Sequence, residues 1–152
     1  MSADHFVATL QRWVEVSTRR SMRDFLRYAR ESRLSMSNLG AIFYAHRCVG
    51  CAVSDVADHL GVSNSAASML LDRLVDQGYL ARLEDPRDRR VKRIHLTERG
   101  ERVFEEGIQA RGGWMSDLAA ELSEDEKRMV TQALDLMIPK MVRLDPEVEH
   151  DG

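Results

Sequence analysis

The sequence predicts a mainly α-helical chain carrying one small β-hairpin, and three observations between Val53 and Leu96 predict it. Apolar residues recur at helical spacing on either side of Gly61, where a tight turn can require a positive φ. After Gly78 the apolar period falls from 3.6 towards 2. Two strand-like runs then flank Asp85-Pro86-Arg87-Asp88-Arg89-Arg90, a turn-rich tip crowded with arginine. A helix-turn-helix followed directly by such a hairpin is a winged helix.

A chain of 152 residues has the length of one domain and can bury a real core. Hydrophobic residues at 43% beside charged residues at 31% fit a globular protein, and no apolar run approaches a membrane span. The opening MSADHFVATLQRW lacks the basic region and long apolar core of a secretory signal, so the expected location is cytoplasmic, with no membrane partner. The net charge of −3 conceals an asymmetry. From Arg82 to Arg93 six basic residues face three acids, whereas from Trp114 onward ten acids face four basic residues. The basic end is nearly all arginine, the side chain suited to bidentate and minor-groove contacts.

In chain order, Asp4 to about Arg30 reads as a long amphipathic helix with Phe6, Leu10, Trp13, Val14, Phe25, Leu26 and Ala29 on its stripe. Arg12, Arg19, Arg23, Arg27 and Arg30 fall largely off that stripe, on a solvated face. Ser35 caps a second helix, where Leu39, Ile42, Phe43 and His46 recur at i, i+3, i+4 and i+7. A short third helix runs from about Val53 to Leu60, and Ser63 caps a fourth that Gly78 stops. Val56, Leu60, Val62, Ala67 and Leu70 are expected in their shared core, with small Ala57 at the crossing.

Leu80 to Glu84 and Val91 to Leu96 are the predicted strands. Thr97 caps a fifth helix striped with Phe104, Ile108, Met115, Leu118 and Leu122, in which Gly107 and Gly112-Gly113 mark a bend. A capping box at Ser123 to Glu126 starts a sixth helix, with Val130, Ala133, Leu134, Met137, Ile138 and Met141 on its expected buried side.

On the fourth helix the inward residues are Ala67, Leu70, Leu71 and Leu74, which turns Asn64, Ser65, Ser68, Met69 and Asp72 outward. That small polar face suits a major groove, where these side chains can meet base edges or thymine methyls. Backbone N–H groups at the helix start, beside Ser63, can take a phosphate. The expected DNA-contacting set is therefore Ser63, Asn64, Ser65, Ser68, Met69 and Arg73, with Arg87, Asp88, Arg89 and Arg90 at the hairpin tip. Arginine is drawn to the negative potential of a narrow minor groove, and the other cations neutralise phosphates.

Only two cysteines are present, in Cys48-Val49-Gly50-Cys51, which rules out a disulfide scaffold. The spacing allows a redox pair, and Cys51 precedes a helix N-terminus, a position that can lower a thiol pKa. A lone C-x-x-C lacks the four ligands of a structural zinc site, so no metal is expected and an inert pair is the simplest reading. There is no Gly-rich phosphate loop, nucleophile elbow or thioredoxin-like βαβ pattern, so no catalytic residue and no cofactor is expected.

Val56-Ala57, Asp72-Arg73-Leu74, Gly78-Tyr79-Leu80, the tip from Asp85 to Arg90, and His95-Leu96-Thr97 followed by Gly100 together resemble the MarR family of bacterial transcriptional regulators. The resemblance covers nearly the whole chain as a single domain. It implies a winged helix-turn-helix lobe over 34–96 joined to a helical dimerisation region of 4–30 and 97–143. It also implies a homodimer on double-stranded DNA at a pseudo-palindromic operator, acting as a repressor, with Asp88 and Arg90 matching the family's wing Asp and Arg. Ala52 stands where the family usually opens its third helix with Thr or Ser. A small aromatic or anionic effector is expected between lobe and dimerisation helices, near Trp13, Met36, Phe43 and His46. The alternatives are a redox-sensing regulator using Cys48 and Cys51, a thiol oxidoreductase, or a winged helix that binds only protein.

Overall fold

The computed structural model describes residues 3–85 and 92–144. Its elements are α1 (Ala3–Ser32), α2 (Met36–Arg47), α3 (Val53–Leu60), α4 (Asn64–Asp76), β1 (Leu80–Glu84), β2 (Lys92–Leu96), α5 (Glu98–Glu121) and α6 (Glu124–Leu144). The two strands form an antiparallel hairpin in which Leu80 faces Leu96 and Glu84 faces Lys92. The chain divides into two compact units, Met1–Arg111 and Gly112–Gly152, and the boundary falls inside α5.

In the first unit the core gathers Phe25 from α1, Leu39 and Ile42 from α2, Val56 from α3, Leu71 and Leu74 from α4, and Leu80 and Ile94 from the hairpin. Local chemistry sets the turns. The Ser35 hydroxyl accepts from the Asn38 N–H at 3.1 Å and starts α2. At Ala52 a methyl can accept nothing, so α3 is opened from the other side, by the Asp55 carboxylate accepting the Ala52 N–H at 2.8 Å. Cys51 is drawn into the core by its carbonyl, which accepts from the Ile94 N–H at 2.9 Å.

Two glycines in α5 make room for neighbouring groups, and one of them, Gly107, differs from expectation. Gly107 is buried, and a Cβ there would lie 2.6 Å from Phe43 Cζ, so its absence admits the ring rather than marking a bend. Gly100 plays the same part against the Tyr79 carbonyl, which a Cβ would approach to 2.2 Å.

In the second unit, α6 opens with the expected box. Ser123 N–H donates to Glu126 at 2.9 Å, and the Glu126 N–H donates to the Ser123 hydroxyl at 3.4 Å. The hydroxyl and N–H of Ser123 hold the Glu126 carboxyl below the usual range. The sixth-helix stripe is not buried, however: α6 contains no buried residue, and Val130, Leu134, Ile138 and Met141 are all exposed. The same holds for Phe6, Trp13, Val14 and Leu26 of α1, for Ile108, Met115 and Leu118 of α5, and for Val62. Among the described residues no helix is long and apolar enough to cross a membrane.

Candidate nucleic-acid interface

The fourth helix is held by both ends and by one face. Its N-cap Ser63 accepts the Ala66 N–H at 3.2 Å. At its far end Gly78 takes φ 76°, so that Tyr79 N–H reaches the Leu74 carbonyl and Gly78 N–H the Val75 carbonyl, each at 2.9 Å. Gly61 makes the corresponding turn after α3 with φ 64°. Ala67, Leu71 and Leu74 are fully buried, which leaves Asn64, Ser65, Met69 and Arg73 exposed together with the cap Ser63. Ser68 is half-buried, at the edge of that face.

The turn that joins α4 to the hairpin is tied to the start of α5. Thr97 Oγ1 donates to the Gly78 carbonyl, 2.7 Å away, and also lies 3.1 Å from the Tyr79 carbonyl. Arg99 donates to the Gln77 carbonyl at 2.7 Å and to the Tyr79 hydroxyl at 3.2 Å, and its guanidinium lies 4.3 Å from the centre of the Tyr79 ring. Arg82 of β1 lies 2.9 Å from the Asp72 carboxylate on α4, and Arg93 of β2 donates to Asp85 at 2.9 Å. Two of the six cations counted between Arg82 and Arg93 are thus paired within the lobe. None of these four ties has a local signature, because their partners lie 8 to 22 residues apart. The expected tip contacts Arg87, Asp88, Arg89 and Arg90 lie outside the described residues.

Of the expected effector residues, the structure brings Phe43 and His46 together. His46 stacks on Phe104 with ring centres 3.6 Å apart, while Phe43 meets Phe104 edge-on at 5.0 Å and Phe25 edge-on at 5.8 Å. His46 Nδ1 lies 3.0 Å from a Glu101 carboxylate oxygen. Arg111, which sequence reasoning missed, places its guanidinium 4.1 Å from the Phe25 ring centre and 4.9 Å from that of Phe43. Trp13 is 53% exposed and makes no ring contact with the cluster among the described residues; it lies 12 residues before Phe25, about 18 Å along a helix. Met36 is exposed at the start of α2.

Cys48 is half-buried and Cys51 is buried, both with free thiols. Burial pushes the Cys51 thiol up to about 12, helped by the neighbouring Cys48, which reverses the lowering expected from the helix start. Among the described residues no group of three or more His, Cys, Asp and Glu side chains could hold a metal ion.

This arrangement defines a winged helix with an exposed polar recognition face. A family model described as the MarR family matches residues 34–91. The HTH-type transcriptional repressor MdtR of Bacillus subtilis (strain 168) is 26% identical over 125 residues, which cover 82% of this chain and 81% of MdtR. The crystal structure of the transcriptional regulator Tm0710 from Thermotoga maritima superposes with a TM-score of 0.77 at 21% identity, covering 92% of this chain and 96% of that one. A mutant of S. aureus MepR bound to an oligodeoxyribonucleotide superposes with a TM-score of 0.62 at 20% identity, covering 93% of this chain and 99% of that one. The chain belongs to the MarR family, whose curated relatives are transcriptional regulators.

Proposed function

We propose that this protein is a homodimeric, DNA-binding transcriptional repressor that reads its operator with α4. The observation that carries the reading is the division of α4 into a fully buried apolar face and an exposed face of Asn64, Ser65, Met69 and Arg73. Ser63 and the first N–H groups of the helix meet a phosphate, and Arg87 to Arg90 of the wing reach the adjoining minor groove. The unburied apolar faces of α6 and the first half of α1 support a second copy as their cover. Two recognition helices related by a two-fold axis meet half-sites about 34 Å apart. The Phe43, His46 and Arg111 cluster supports a small aromatic or anionic effector that favours a non-binding spacing of those helices. The high Cys51 thiol pKa weighs against a redox switch.

A gel-shift series on genomic duplexes at several salt concentrations tests this reading. Binding that weakens steeply with salt is expected, and Arg90→Ala flattens the log–log slope by about 0.9 for each phosphate no longer neutralised. Arg128→Ala, an exposed arginine on α6, is the matched control. Absence of duplex binding at low salt contradicts the proposal.

A further inference from the structure

We propose that the outer face of α1 holds the phosphate backbone of a second double-stranded DNA segment, apart from the one that α4 reads. From Arg12 to Arg33 seven arginines and no lysine stand against three acids. At 3.6 residues per turn Arg12, Arg19, Arg23, Arg27 and Arg30 fall within an arc of about 80°, and at 1.5 Å per residue they run for about 27 Å. All five are exposed, and Phe25 and Tyr28, which enter the core, lie on the opposite side of the helix.

The stripe destabilises its own helix unless an anion covers it. Arg19 with Arg23, Arg23 with Arg27, and Arg27 with Arg30 are like-charged neighbours at i,i+4 or i,i+3. The acids of α1 offset this only in part: Arg19 pairs with Glu15, whereas Arg12 and Arg30 have no side-chain partner among the described residues. Asp24 does something more specific. It is 6% exposed, and its Oδ1 lies 3.3 Å from both Arg23 Nε and Arg27 Nη2. One buried carboxylate therefore sets two guanidinium groups side by side and leaves the rest of both forks, 66% and 63% exposed, for a phosphate.

Duplex DNA is the occupant that this pattern fits. A duplex carries one negative charge per 1.7 Å of its axis, so a 27 Å stripe runs beside about 16 phosphates, and cations repeated along one line meet a continuous polyanion. A membrane surface would need apolar residues interleaved with the cations, but Phe6, Trp13 and Val14 point away from the stripe. Phe25 of α1 and Leu71 and Leu74 of α4 meet in one core, so the arginine face and the recognition face look out of it in separate directions and take separate duplexes. A chain so built bridges two DNA segments. That consequence, unlike duplex binding by α1 itself, rests on the DNA-binding reading above.

Phenylglyoxal footprinting of the full chain with a random-sequence duplex longer than the stripe, read by mass spectrometry, tests the site residue by residue. Arg23, Arg27 and Arg30 are expected to react at least threefold more slowly with the duplex present, and vesicles of phosphatidylserine and phosphatidylcholine to leave them unchanged. In a second arm, protein on a bead-bound duplex is expected to capture a free labelled duplex. The double variant Arg12→Gln/Arg30→Gln should lose at least fivefold of that capture while still occupying the bead-bound duplex, with an unchanged circular-dichroism melt. Unaltered reactivity of the three arginines, protection by vesicles in place of duplex, no capture by the wild-type chain on its bead-bound duplex, or wild-type capture by the double variant overturns the proposal. Arg73 on α4 is read in the same footprint. Protection of Arg73 without Arg23, Arg27 and Arg30 contradicts only this proposal, and the reverse pattern contradicts only the recognition reading.

Discussion

Helices α4 and α6 begin alike and end differently. Each opens on a serine cap and carries an apolar stripe at helical spacing, yet Ala67, Leu71 and Leu74 of α4 are fully buried while no residue of α6 is. On the α6 stripe Ile138 is 52% exposed and Met141 61%. An apolar stripe states what a helix needs to bury, not which chain supplies the cover. The cover of α4 comes from α2, α3 and β1, all close in sequence. A continuous exposed apolar stripe is the kind of surface that marks a protein interface, which is why a second copy is the proposed cover.

The largest effect that separates the two helices is expected from core truncation. Leu74→Ala should lower stability by about 2–5 kcal/mol in urea unfolding, whatever the protein concentration. Ile138→Asp should instead abolish the concentration dependence of the midpoint that a dimer shows, while leaving the far-ultraviolet signal intact. Equal behaviour of the two variants breaks the comparison.

The glycines of α5 sharpen it. Gly107→Ala forces a methyl to within 2.6 Å of Phe43 and should cost about 1–3 kcal/mol. Gly113→Ala meets nothing within 4 Å and should raise stability by up to about 1 kcal/mol through helix propensity. Thermal melts of the two variants therefore move in opposite directions. Ser63→Ala should cost about 1 kcal/mol by uncapping α4.

A further effect concerns pH. The Cys51 thiol rises to about 12 in the folded state, above its unfolded value of roughly 8.5, so folding favours the protonated form. Its stabilisation is complete below the unfolded value and is lost as pH rises from there through the folded pKa. Denaturation midpoints measured from pH 8 to 10 should fall in the wild type and fall less in Cys51→Ala. Alkylation should reach Cys48 well before Cys51.

What was legible in the sequence is what short-range chemistry decides. Ser35, Ser63 and Ser123 cap the helices assigned to them, and Gly61 and Gly78 take the positive φ that their turns require. The order of helices, turn and hairpin followed from period alone. Tertiary partners were not legible. Nothing local says that Arg82 pairs with Asp72, that Arg99 holds Gln77, or that the missing side chain of Gly107 receives Phe43. Cys51 read as activated because it precedes α3, but its strand-like bond to Ile94 places it in the core, where desolvation dominates. The face assigned as buried on α6 is exposed within one chain, and its proposed cover is a second copy.

Light scattering on the purified chain at micromolar concentration tests that last point most directly. The account predicts a mass of twice 17.3 kDa, reduced to 17.3 kDa in Ile138→Asp with the helix content retained. A wild-type chain that is folded and stable at 17.3 kDa would contradict it.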